Sequence, residues 1–167
     1  SRLNKVLLAV LKKDTLHRRG ARCLLYPQLE ELVGFHFTAE TALRDVFSGD
    51  YRVSRGRVSG FIELSLISFI PAEKLRIAPG ATHFRVLGGC GVFDFEAGRF
   101  ENSQKLSDWL PVSYAMLPDI TLDFDLPVES AQPTVVVLGF LSGQAINGVV
   151  YPLKGEKGHV LEVVAVL

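Results

Sequence analysis

Three aromatic residues, Trp109, Tyr114 and Tyr151, have side chains suited to stacking on a ligand, because a ring presents a flat apolar face with a polar edge. Carried on the strands of a sandwich, they would make a small-ligand or carbohydrate site. Asp123 and Asp125 are the next candidates. Two apart on a strand, they share one face with carboxylates roughly 6.5–7 Å apart, from a rise of about 3.3 Å per residue. Such a pair suits sugar cleavage where a facing wall encloses it. Asp119 and Glu129 lie close by, yet Ile120, Leu122, Phe124 and Leu126 alternate with the acids, and no Gly follows to make the sharp turn of a calcium loop. The favoured reading is an exposed sheet face whose charges discourage edge pairing.

The other chemically able side chains are scattered. His17, His36, His83 and His159 show none of the HxH, HxxxH or HExxH spacings that aim two imidazoles at one metal. Cys23 and Cys90 form no CxxC pair and read as buried thiols. Cys90 sits in Gly88-Gly89-Cys90-Gly91, which reads as a glycine turn or bulge where two backbones approach closely. An exposed nucleophile seven residues from His83 is the competing reading. The glycine run lacks the Lys-Ser/Thr and helix of a phosphate loop, and Ser142-Gly143 is not a GxSxG elbow. With no nucleophile, base and stabiliser that can be named together, the expectation is a protein without catalytic residues, metal or cofactor.

Charge is more informative than any motif. The chain carries 18 Lys+Arg and 18 Asp+Glu, but residues 1–57 hold eleven basic and six acidic groups, a net +5, which leaves −5 on residues 58–167. Opposite fields on two regions steer encounters between copies and orient them head to tail. Lys12, Lys13, His17, Arg18, Arg19 and Arg22 would suit phosphates, but no aromatic is interleaved with them for base stacking. Overall neutrality also argues against a nucleic-acid partner.

These groups need a scaffold. A chain of 167 residues, 48% apolar, buries roughly 70% of its unfolded surface and needs no disulfide framework. Disorder is excluded by composition, and no apolar run reaches the roughly 18–20 residues of a membrane span. No targeting segment is legible, so a cytoplasmic setting is the expectation unless an upstream signal has been removed.

In residues 1–50 the apolar period is helical. Leu3, Val6, Leu7, Val10 and Leu11 make one stripe, with Lys5, Lys12 and Lys13 elsewhere. Pro27 to Val33 followed by Gly34 predicts a helical turn, and Thr38 predicts the N-cap of a helix reaching Phe47. From Tyr51 the period becomes two. Strands are expected over Val58–Ile70, Thr82–Val86, Val92–Glu96 and Ile120–Leu126, and the three apolar segments Val135–Leu141, Ile146–Leu153 and Val160–Leu167 read as central or doubly covered.

The expected fold is mainly β, an antiparallel sandwich of seven or eight strands, Ig-like or jelly-roll-like, with a short N-terminal helical segment. Residues 1–50 would be a helical extension packed on a single folding unit, 51–167. The last strand, including Val164 and Val166, must be central, covered, or paired with another subunit, because an apolar free edge aggregates. The expected function is therefore a non-catalytic structural or interaction protein that self-associates. Its interface candidates are Leu3, Val6, Leu7, Val10 and Leu11 of the helix stripe, Arg18 and Arg19, Asp123 and Asp125, and Val164 and Val166.

Overall fold

The structure, a computed structural model, describes residues 9, 29–38, 41–55, 61–94, 97–125, 132–154 and 159–167. Among these residues nine strands form two antiparallel sheets. The smaller contains β1 (Tyr51–Arg55), β2 (Phe61–Leu66) and β6 (Ile120–Asp125), in the order β1-β2-β6. The larger contains β3 (His83–Asp94), β4 (Arg99–Leu106), β5 (Leu110–Pro111), β7 (Thr134–Ile146), β8 (Val149–Pro152) and β9 (Val160–Val166). Its centre is the long pair β3 and β7; β4 and β5 share the far side of β3, and β8 and β9 share the far side of β7.

Alternation decides which side chains meet. Ile62, Leu64 and Leu66 on β2 and Leu122 and Phe124 on β6 turn inward, against Phe84, Val86, Cys90 and Val92 of β3 and Val136, Leu138 and Phe140 of β7, all in one buried core. Gly88 lies in the middle of that contact. A Cβ there would come within 2.7 Å of Leu122 Cδ1 and 2.8 Å of Phe124 Cζ, so only glycine lets the sheets close at this point. The glycine run is therefore not a turn: β3 passes unbroken through Gly88, Gly89, Cys90 and Gly91.

One end of the sandwich is plugged by phenylalanines. Phe47 stacks against Phe69 and Phe140 at centroid distances of 5.1 and 5.0 Å, and Phe84 touches both Phe69 and Phe140. Helix α1 (Leu43–Val46) brings Phe47 there and adds Leu43 and Val46 to the same core. This helix begins later than Thr38. Glu162 on β9 accepts the Leu43 N–H at 2.7 Å and Asp45 accepts that of Ala42, which fixes the start at Leu43, while the Thr38 hydroxyl donates to the Thr41 carbonyl. A second short helix, α2 (Pro71–Lys74), begins on its proline.

Two other expectations change, and the alternatives for the last strand narrow to one. The strand expected over Val58–Ile70 is described only as Phe61–Leu66, with an isolated bridge from Phe69 to Leu117 beyond it. Ile146–Leu153 is not a central strand but an exposed hairpin, because Asn147 and Gly148 take φ of 51° and 80° and reverse the chain. β9 is covered by its own chain: Gly34 and Phe37 donate to Val163 and Leu161, and Val163 donates to Phe35, sealing its outer edge.

Candidate functional site: an apolar groove on the outer sheet face

The larger sheet has a second apolar side. A register shift at Val136/Val137 adds one residue to β9, so Val163 and Val166, three apart, both face outward. Leu29 and Leu32 pack on them, with Phe35, Val135 and Val137 alongside. Leu29 and Leu32 belong to the predicted helical turn, which forms as a 3-10 turn over Glu30–Leu32; Gly34, at φ +86°, allows the chain to turn back after it. Among the described residues, this cluster covers only part of the face.

Beside it runs a groove of about 510 Å³. Leu29, Leu32 and Phe37 wall it above β9, Phe93 and Phe100 wall it above β3 and β4, and Gly89 and Gly91 with Val135 and Val137 form its floor. The floor is low because the glycines have no side chains. A Cβ on Gly89 would stand 2.6 Å from Val137 Cγ2, and one on Gly91 would stand 2.7 Å from Phe100 Cε2. Phe93 and Phe100 face each other across the β3–β4 pair with centroids 4.8 Å apart. Asn102, Ser103 and Gln104 supply a polar margin, and the described lining includes no acidic or basic side chain. Phe37 and Phe100 remain 44% and 54% exposed, too much for ordinary core residues of their size.

The candidates taken from the sequence lie elsewhere. Trp109 rests against Gly143 on the outer face, 2.7 Å from where a Cβ would be, beside Val150. The Arg85 guanidinium lies 5.0 Å from its ring centroid, and Arg85 Nε donates to the Ser107 carbonyl at 2.7 Å. One ring face is thus occupied, and Trp109 clasps the segment before β5 to the sheet. Tyr151, paired with Gln144, points to the opposite side from Val150, and Tyr114 is exposed on the connection between β5 and β6. The three aromatics form no shared platform.

Asp123 and Asp125 are exposed on the outer face of the small sheet, opposite Glu63 and Phe61, and Asp119 accepts the Ser68 N–H at 2.8 Å. Among the described residues no group of three or more His, Cys, Asp or Glu side chains could hold a metal ion. Val164 is buried in the main core and Val166 under Leu29 and Leu32. Leu3, Val6, Leu7, Val10, Leu11, Arg18, Arg19, Cys23 and Glu129 lie outside the described residues. No described helix is long and apolar enough to cross a membrane.

Cys90 points into the core, away from the groove, with His83 on the opposite side of β3. Burial pushes its thiol up to about 12, against a smaller opposing pull from Arg55. A pKa raised on folding means that the native state holds this proton more tightly, so its contribution to stability is intact below pH 9.0 and is lost as pH rises toward about 12. With Cys23 replaced by Ser, the folded protein is expected to take up no dithiobisnitrobenzoate at pH 8 and one equivalent once denatured.

Comparison with family models, curated proteins and solved structures gave no match. Function must therefore be argued from the groove. Sequence reasoning missed it, although one signal was present: Gly89 and Gly91, two apart on one strand, mark a face stripped of side chains.

Proposed function

We propose that the protein is a non-catalytic interaction protein whose copies assemble through the outer groove, each groove taking an apolar segment of a neighbouring chain. The supporting observation is the groove's make-up: an apolar trough of about 510 Å³, uncharged along its described lining, with half-exposed Phe37 and Phe100 at its margin. Uncharged, aromatic-rimmed clefts gain free energy by excluding water from another apolar surface. The net charges of +5 and −5 on the two regions of the chain favour a head-to-tail encounter. A small-ligand or carbohydrate module using Trp109, Tyr114 and Tyr151 has less support, because those rings do not converge.

Light scattering over a concentration series tests the reading. The full chain is expected to rise above its 18.4 kDa single-chain mass as concentration increases. Phe100→Glu, which places a charge at the groove margin, is expected to hold the mass at one chain throughout. A wild-type protein that keeps the single-chain mass at every concentration, in low and high salt, contradicts the proposal.

A further inference from the structure

We propose that residues 3–11 of this chain are the segment that fits the groove, and that at low concentration they close the groove of their own molecule, so that assembly between copies is an exchange of this segment. The inference rests on the docking reading of the groove. Three observations carry it.

The first is fit. The walls stand above β9 and β4, three strand spacings apart, which is about 14 Å. A helix with its side chains is about 10–12 Å across. The floor between the walls is glycine and valine, which lets a helix sit low on the sheet. The second is complementarity. Leu3, Val6, Leu7, Val10 and Leu11 form one apolar stripe with the lysines off it, matching an apolar trough with a polar margin. Ala9, the one described residue there, is helical and exposed, as its place off the stripe requires. The third is reach. Leu29 forms part of the groove wall, so residues 12–28 are all that separates the stripe from the trough. At up to about 3.3 Å per residue they span it easily.

A tethered segment meets its own groove at a local concentration near millimolar, which favours closure within one molecule in dilute solution. The same contact can close between two molecules without new chemistry, which is why exchange of an element is a low-cost route to an oligomer. Closure and assembly then compete for one surface.

The test uses the full chain at low micromolar concentration with bis-ANS, a dye that fluoresces in apolar clefts. Wild type is expected to bind little dye. Leu7→Glu removes a stripe residue whose burial shifts the closed-to-open ratio about tenfold or more, so its fluorescence is expected to rise severalfold. Lys5→Glu, off the stripe, is expected to match wild type. Adding Phe100→Glu to Leu7→Glu is expected to return the signal to the wild-type level. Near-ultraviolet circular dichroism separates an opened groove from a loosened fold, which also binds such dyes. A disulfide pair gives an independent reading: with Cys23→Ser, the double substitution Leu7→Cys and Phe100→Cys is expected to cross-link within one chain at dilution.

If wild type and Leu7→Glu bind dye equally well while Phe100→Glu lowers it, the groove stands and residues 3–11 are not its occupant. A signal indifferent to Phe100→Glu in every background removes both readings. A cross-link formed only between chains at dilution overturns closure within the molecule.

Discussion

Phe140→Ala is expected to remove about 3–5 kcal/mol of stability, a large part of the roughly 5–15 kcal/mol that holds a domain of this size together. Phe140 is fully buried on β7, and its ring touches Phe47 at 5.0 Å and Phe84 at 6.4 Å. Removing it empties the contact at which α1, β3 and β7 meet, and the neighbouring rings cannot refill the space without leaving their own positions. A melting temperature about 10 °C or more below wild type is the expected readout, together with a lower urea midpoint. Phe140→Leu keeps most of the volume and is expected to cost less than about 1.5 kcal/mol. Phe100→Ala changes a ring that is 54% exposed, so it should shift stability much less. A core phenylalanine and a groove phenylalanine are thus separable by one thermal measurement.

Gly139→Ala is the second large effect, and its cause is different. A Cβ at Gly139 would stand 2.5 Å from the carbonyl oxygen of Val160 and 3.0 Å from Leu161 Cδ1. The first obstacle is backbone, so no rotamer change relieves it, and β9 must move away from β7 opposite Leu161. The expected cost is about 3 kcal/mol, at the upper end of overpacking by one methyl group. Hydrogen exchange localises the damage. Amides of Val160–Val166 should lose protection while those of the β3–β4 pair keep theirs. Gly98 supplies the contrast: its φ is +64° and a Cβ there would meet nothing within 4 Å, so Gly98→Ala tests backbone strain alone, about 1–2 kcal/mol.

The sandwich was legible where one strand alone carries the information. Ile120 to Asp125 alternates between core and solvent, and Val135 to Leu141 is apolar enough to be central, as β7 is. The short turn before Gly34 was legible from its proline and glycine. Gly88, Gly89 and Gly91 were misread because glycine weakens a strand in isolation. What requires them here comes from distant segments: Leu122 and Phe124 above Gly88, Val137 beside Gly89, and Phe100 beside Gly91. The β7–β8 hairpin was missed for the opposite reason. Asn147-Gly148 is a strong local turn signal, and the apolar residues around it outweighed that signal in the reading.

Of the groove, only the spacing of Gly89 and Gly91 was legible. Its lining comes from residues 29–37, 87–93, 100–104, 135–137 and 161–163, which only the strand order brings together. The sequence did show a helix stripe that needs a cover and an apolar last strand that needs one too. Residues 34–37 cover the edge of that strand, and the proposal gives the stripe the groove.

The most direct test of the groove as the assembly surface is a cross-saturation map, in which deuterated, nitrogen-15-labelled chains report the amides that lie against an unlabelled neighbour, from dilute to concentrated solution. Proposed assembly predicts transfer that grows with concentration at Gly89, Gly91, Phe93, Phe100, Asn102 and Gln104, which border the trough. Transfer confined to Asp123 and Asp125 on the small sheet, or to the exposed hairpin at Ile146–Tyr151, would contradict it.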